Sequence, residues 1–198
     1  MPDTVNPEDK IAQAQAVTQA AMKALETGDL RGATSAILKH AVKITGSEYG
    51  FFSVAMDGPF ERLLNMEGFR WNETVNREFY ENAMKSYANS GHLDFLNVAN
   101  LAGRAITHNE VVVSNAPATD SRAGGIPAGH PPLECFLGTP LRKDGQLAAV
   151  IGLANRPGGY TAAQQADVEL LTEAACAASD YYHGARRAQA ASIGGSES

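Results

Sequence analysis

Cysteine is almost absent from this chain, with Cys135 and Cys176 the only two in 198 residues. They fall in a predicted strand and a predicted helix without C-x-x-C spacing, which excludes a disulfide framework and a metal site of that type. Basic residues are also scarce. Sixteen Lys and Arg face 22 Asp and Glu, giving a net charge of -6, so the positive footprint that displaces counterions from nucleic-acid phosphates is missing. Arg186-Arg187 is too small a cluster to reverse this. No apolar run is long enough to span a bilayer, and Met1 to Asp9 is polar and acidic, unlike a secretory signal. A cytoplasmic protein with neither nucleic-acid nor membrane partners is expected. No P-loop, zinc motif or grouping of nucleophile, base and orienting residue occurs at meaningful spacing, so no enzyme is expected either.

What is present suits one folded core with flanking helices: 44% hydrophobic and 19% charged residues. Asn6-Pro7-Glu8-Asp9 starts a helix with a capping residue, a first-turn proline and two acids, and Gly28 stops it. Asp29 caps a second helix with an apolar face of Ile37, Leu38, Ala41 and Val42, ending near Gly46. Tyr49 to Met56 reads as a buried strand, paired antiparallel with Phe60 to Phe69. Asn72 caps a third helix carrying Val75, Phe79, Ala83, Met84 and Tyr87, followed by a short helix within Asn97 to His108 and a strand at Val111 to Ser114. Cys135 to Leu141 and Gln146 to Ala154 flank Asp144-Gly145, residues that tolerate the positive φ angles of a tight hairpin. Thr161 and Gln164 then form a capping box opening a helix from Ala162 to about Ala190.

Asn115 to Pro132 lacks helical or strand periodicity, and a loop of that length in a compact domain is either functional or disordered. Asp120-Ser121-Arg122 with Gly124-Gly125 combines a guanidinium, a hydroxyl and glycine amides suited to a small anion, and it also reads as a solvated turn with Asp120 bonding local amides. His130, between Gly129 and Pro131-Pro132, is a candidate hydrogen-bond donor or metal ligand, or a ring packed on rigid prolines. Cys135 reads as a small core residue, or as a thiol partly activated by His130. Ser53, Ser114 and Thr139 are polar groups in apolar strands, each a ligand contact or an outward hydroxyl. Of Phe51 and Phe52, adjacent in a strand, one must face each side of the sheet.

The element order resembles the GAF domain, a small-molecule-sensing signalling domain related to the PAS fold. The resemblance covers Leu30 to Ala178. It is carried by Gly103-Arg104-Ala105-Ile106 before Val111-Val112-Val113-Ser114-Asn115, by Phe136-Leu137-Gly138-Thr139-Pro140-Leu141, by Ala149-Val150-Ile151-Gly152-Leu153-Ala154-Asn155, and by Tyr160-Thr161 before Asp167 and Leu170-Leu171. It implies an α+β fold, a central antiparallel sheet with terminal helices on one face and a ligand pocket on the other. Residues 1–29 would form a packing or dimerisation helix, 30–178 the GAF-like domain, and 179–198 the end of the C-terminal helix and a flexible tail.

The function implied is a sensor that binds a small-molecule or anionic effector and signals through its C-terminal helix as a homodimer, to a partner such as a histidine kinase. Expected contacts are Phe52, Ser114, Asp120, Ser121, Arg122, His130, Cys135 and Thr139, with Cys135 and Thr139 on the pocket floor. No cofactor is identified. Departures from the family's patterns narrow the ligand. Where cyclic-nucleotide-binding members pair lysine with an acid, this chain has Arg156 and the neutral Gln164-Gln165. Cys135 is followed by Phe136 rather than the histidine of bilin-binding members, and the two cysteines lie on different elements, unlike the redox pair of free-methionine sulfoxide reductases. A haem or tetrapyrrole sensor, drawing on the five histidines, and a ligand-free dimerisation module remain as alternatives. Stripes at Ile11, Ala14, Thr18, Ala21 and Leu25, and at Val168, Leu171, Ala175, Ala178 and Tyr182, suit either a dimer bundle or intramolecular packing.

Overall fold

The computed structural model describes residues 6–56, 61–68, 77–95, 98–126 and 130–194. Within them the elements are α1 (Pro7–Glu26), α2 (Leu30–Thr45), β1 (Tyr49–Ala55), β2 (Glu61–Glu67), α3 (Arg77–Ser90), β3 (Leu93–Phe95), α4 (Leu101–Thr107), β4 (Val112–Ser114), β5 (Phe136–Lys143), β6 (Gln146–Ala154), α5 (Ala162–Glu169) and α6 (Thr172–Gly194). A 3₁₀ turn spans Pro117–Thr119. Trp71, the expected cap Asn72 and Val75 lie outside the described residues, as do Phe60, Phe69, the side chains of Phe79, Ala83 and Met84, and the tail beyond 194.

The strands form one six-stranded antiparallel sheet in the order β3-β2-β1-β6-β5-β4. At its centre Asp144 and Gly145 both take positive φ, 51° and 79°, the pair of left-handed conformations that lets a two-residue turn follow the strands' twist. Two bulges interrupt the ladders. One skips Leu64 opposite Phe52 and Ser53, and the other skips Ala148 opposite Leu141 and Arg142.

Helices cover both faces. Phe52, Val54, Leu137, Leu141, Ile151 and Leu153 pack with α1, α2, α5 and α6. Phe51, Leu63, Leu93, Val112, Phe136 and Val150 pack instead with Tyr87 of α3 and with Leu101 and Ala105 of α4. The terminal helices therefore share one face, as the alanine stripes predict. Ala14, Thr18 and Ala21 of α1 and Ala174, Ala175 and Ala178 of α6 are buried there, while Ile11 and Met22 are exposed.

Caps set the helix boundaries. Asn6 Oδ1 accepts from Glu8 N, Asp29 Oδ1 from Gly32 N, and Asn100 Oδ1 from Gly103 N. Thr161 and Gln164 form the expected reciprocal capping box. The single C-terminal helix read from the sequence is two, because the chain tightens at Leu170–Leu171. Leu171 N donates to Val168 O, an i to i+3 bond, and Thr172 Oγ1 donates to Glu169 O. Three-residue β3 and the 3₁₀ turn have no counterpart in the sequence reading, being too short to show a period.

Candidate functional site

The loop after β4 is organised by its own charges. Arg122 donates from Nε and Nη2 to the two carboxylate oxygens of Asp120 at 3.0 and 2.8 Å, from its backbone N to Asp120 Oδ1 at 3.0 Å, and from Nη2 to Val113 O at 2.9 Å. These bonds hold the Asp120 carboxyl well below the usual carboxylate range, Arg122 first among the causes. The ion pair folds the turn back on the edge of β4, so the guanidinium is committed to the turn rather than presented to an anion. Ser121 is exposed at the tip. Gly124 anchors the other end, since a Cβ there would lie 1.9 Å from Ala99 O and its φ is +62°.

Beside this turn lies an open groove of about 380 Å³, lined by Val113, Ser114, Asn115, Ala116, Thr119 and Asp120. Ser114 Oγ is buried without a partner in hydrogen-bonding geometry, although the hydroxyl is near enough to Asp120 to help keep its carboxylate ionised. Ser114, Asp120 and Arg122 are thus brought together at the edge of β4.

His130 is fixed at the next corner. Its Nδ1 lies 2.7 Å from Pro131 O, and its ring meets Tyr49 edge-on at 6.0 Å between centroids. Burial lowers its pKa, an effect the Pro131 carbonyl partly offsets. Tyr49 Oη and Asn155 Nδ2 both donate to Pro132 O, at 3.0 and 2.8 Å. Asn155 Oδ1 also accepts from Glu134 N at 2.8 Å, so one side chain staples the proline corner to the end of β6.

Cys135 turns the other way. Its Sγ donates to Arg156 O at 3.4 Å, and burial pushes its thiol pKa up, the reverse of activation. Three expected contacts need correcting. Phe52, Cys135 and Thr139 lie on the helix-covered face with α1, α2, α5 and α6, because Leu137 and Leu141 share the parity of Cys135 and Thr139 and Ile151 lies opposite Thr139 in the ladder. Thr139 Oγ1 is buried there without a partner. Cys135 and Thr139, expected on a pocket floor, are both buried beneath these helices.

Toward α3 and α4 the sheet presents a different surface. Gly138 and Gly152 are ladder partners, and each is overlain by an aromatic ring. A Cβ at Gly152 would meet Phe51 Cε1 at 2.2 Å, and one at Gly138 would meet Phe136 Cε1 and Ala105 Cβ at 3.0 Å. The two rings stack with centroids 6.5 Å apart and planes 22° from parallel. Buried Ser53 opposes Leu63 and Val150 on this same face. The sheet surface packed against α4 is thus aromatic with a hydroxyl beside it. Sequence reasoning put Phe52 rather than Phe51 here; the glycine opposite Phe51 is the signal that separates them.

After β6, Arg156 Nη1 donates to Pro157 O at 3.1 Å and Gly159 O at 2.7 Å. Gln165 Nε2 donates to Glu169 Oε1 at 2.9 Å. The arginine and the amides therefore serve separate local structures, in keeping with the lost cyclic-nucleotide pattern. Among the described residues, no group of three or more His, Cys, Asp or Glu is placed to hold a metal ion, and no helix is long and apolar enough to cross a membrane.

An antiparallel sheet in this strand order, with terminal helices on one face and a shorter helical cover on the other, defines a six-stranded α+β domain. A family model described as the GAF domain matches residues 27–179, and the chain belongs to that family. Its fold is similar to the GAF domain of an Acinetobacter phosphoenolpyruvate-protein phosphotransferase, at 13% identity and a TM-score of 0.66, covering 91% of this chain and 97% of that one. It is equally similar to the GAF domain of the phosphoenolpyruvate-protein phosphotransferase from Coxiella burnetii, at 15% identity and 0.66, covering 94% and 99%. The type II free methionine-R-sulfoxide reductase of Thermoplasma acidophilum is similar at 14% identity and 0.52, covering 77% and 96%. No curated protein matches the chain. GAF domains are in general sensory or regulatory and commonly sit in signalling proteins.

Proposed function

We propose that this GAF domain binds a small effector between its sheet and the α3, α4 and Asn115–Pro132 cover, and passes the change through α6 to a signalling partner such as a histidine kinase. The observation that carries this reading is the attachment of α6 to the central hairpin. Ala148, the bulge residue of β6, has its carbonyl outside the ladder, and Ser179 Oγ of α6 donates to it at 2.8 Å. One strand thus turns Val150 and Gly152 to the effector side while holding the output helix, so a change of strand position reaches α6 directly. Lys143 Nζ and Asp180 Oδ2, 2.5 Å apart, add an exposed pair at the hairpin tip, where charge pairs contribute little.

The effector side offers Phe51, Ser53 and Phe136 together with the groove at Ser114 and Asp120, which suits a small, partly apolar molecule carrying a hydrogen-bond donor. Homodimerisation is assigned to α1 and α6, with Ile11 and Met22 as the large exposed apolar residues of α1. Leu171 is fully buried in the protomer's own core and belongs to folding rather than to that contact.

The test is an absorption spectrum of the purified protein, mass spectrometry of co-purifying molecules, and a thermal-shift screen of metabolites and anions. A ligand that binds only the folded state at a hundred times its Kd stabilises by about 2.7 kcal/mol, a shift of several degrees. A colourless protein that no compound stabilises would overturn the effector reading. A visible band lost on replacing a single histidine would assign the site to haem or a tetrapyrrole instead.

A further inference from the structure

Arg62 joins an edge of the sheet to the last helix. It lies opposite Val54 on the helix-covered side of β2, with 13% of its side chain exposed. Its Nε and Nη2 donate to the two carboxylate oxygens of Asp94 at 2.5 and 3.0 Å, and its Nη1 donates to Tyr182 Oη at 2.7 Å. A guanidinium is a rigid fork, so the same plane that fixes Asp94 fixes the direction in which Tyr182 is met.

The two partners belong to different parts of the fold. Asp94 is the middle residue of β3, an edge strand three residues long that among the described residues pairs with β2. Its neighbour Leu93 packs on the opposite face, in the cluster with Phe51, Leu63 and Tyr87. α3 runs directly into β3, and Tyr87 Oη donates to Leu64 O while Ser90 Oγ donates to His92 O. A shift of α3 against the sheet therefore carries Leu93 and Asp94 with it. Tyr182 stands where α6 leaves the core. The residues after it are mostly exposed, and Arg186 lies over the Tyr182 ring at 5.9 Å with its Nη1 3.8 Å from Met56 Sδ.

We propose that Asp94, Arg62 and Tyr182 form a clamp through which displacement of α3 and β3 changes the hold on the last three turns of α6. Arg62 acts as a positioning residue. With Asp94 in place its fork is aimed at Tyr182; with Asp94 withdrawn, the nearly buried guanidinium turns toward another acceptor and the tyrosine loses its charged donor. The proposal deepens the sensor reading by naming a route to the output helix, and rests on that reading only for what would move α3.

The experiment is hydrogen exchange on the full chain without ligand, reading amides 183–191 of α6 relative to those of β6. Leu93→Ala, whose side chain faces away from α6, is made in the wild-type and Tyr182→Phe backgrounds. In the wild type it should speed the relative exchange of these amides roughly tenfold, the size of losing one bond to a charged group. Tyr182→Phe alone should give a similar increase, and adding Leu93→Ala should then give none. Leu101→Ala, which loosens the same cluster from α4, should leave the ratio unchanged. Equal increments in both backgrounds, or the same response to Leu101→Ala, would overturn the clamp. Should Leu93→Ala fail to fold, Asp94→Asn takes its place with the same expectation. A chain that binds no effector leaves this outcome standing, and a failed exchange pattern leaves effector binding standing.

Discussion

Asn115 holds Tyr160 by both ends of its amide: Oδ1 accepts from Tyr160 N at 2.8 Å and Nδ2 donates to Tyr160 O at 3.0 Å. The side chain thereby imitates a neighbouring strand and ties the loop after β4 to the segment between β6 and α5. Gly159 makes room for it, since a Cβ there would lie 2.6 Å from Asn115 Oδ1.

Asn115→Ala strips both partners from the nearly buried Tyr160 backbone and should cost about 1–3 kcal/mol. Urea unfolding should show a lower midpoint at an unchanged m-value. Asn115→Asp, which keeps the acceptor and loses the donor, should fall between wild type and alanine; an alanine variant as stable as wild type would contradict the role given to the amide.

Gly152→Ala drives a methyl into the Phe51 ring, 2.2 Å from its nearest carbon. Overpacking of this kind costs about 1–3 kcal/mol. Phe51→Ala alone empties a core ring site at about 3–5 kcal/mol, and the double variant should be more stable than the sum of the two losses predicts. Additive losses in thermal or urea unfolding would show that the ring does not rest on Gly152.

The neutral form of His130 is favoured in the folded protein, because burial lowers its pKa. His40 and His92 are lowered as well, each by burial first. The unfolded chain then takes up protons at a higher pH than the folded one. Stability contributed this way is fully present above about pH 6.5 and is lost as pH falls through the lowered folded values. Urea midpoints should decline from pH 7.5 to pH 5, and His130→Gln should decline less steeply. Equal slopes would assign the whole effect to His40 and His92.

Both thiols are pushed up by burial. Alkylation of the native protein at pH 7.5 should be slower than that of the unfolded chain by at least about tenfold, since only the thiolate reacts and access is blocked. Rapid modification of Cys135 in the native state would reopen the redox reading.

Lys10 Nζ lies 2.8 Å from both oxygens of Asp167, which fastens α1 to α5. Asp167 is the more buried partner, with 9% of its side chain exposed against 26% for Lys10. Asp167→Asn should therefore cost about 1 kcal/mol, with the lysine free to reach water. Faster exchange of α1 amides than of α2 amides should accompany the loss, and identical protection in both helices would argue against the tether.

Local chemistry made much of the fold legible. The Asp144-Gly145 turn, the Asn6 and Asp29 caps and the Thr161 capping box each follow from the bonds a residue type can make, and each occurs where the sequence places it. Faces were harder. Alternation separates Phe51 from Phe52 but does not say which side the terminal helices cover, and it is the packing of those helices that takes in Phe52, Cys135 and Thr139. The break at Leu170–Leu171 involves no proline or glycine and could not be read in advance. In the loop, the bonding of Asp120 to a local amide was legible, while the commitment of the Arg122 guanidinium to Asp120 and to Val113 O depends on a fold-back that only the three-dimensional path creates.

The stacked rings of Phe51 and Phe136 have a consequence for how such a domain diversifies. Under them, at Gly152 and Gly138, the sheet carries no side chains, so the relief of this wall is decided by two replaceable inserts rather than by the strands. Exchanging either insert for a smaller residue deepens the wall by most of a ring while the hydrogen-bonded ladder stays as it is. A single substitution at either ring therefore reshapes this face of the sheet while the strand pairing beneath it is kept.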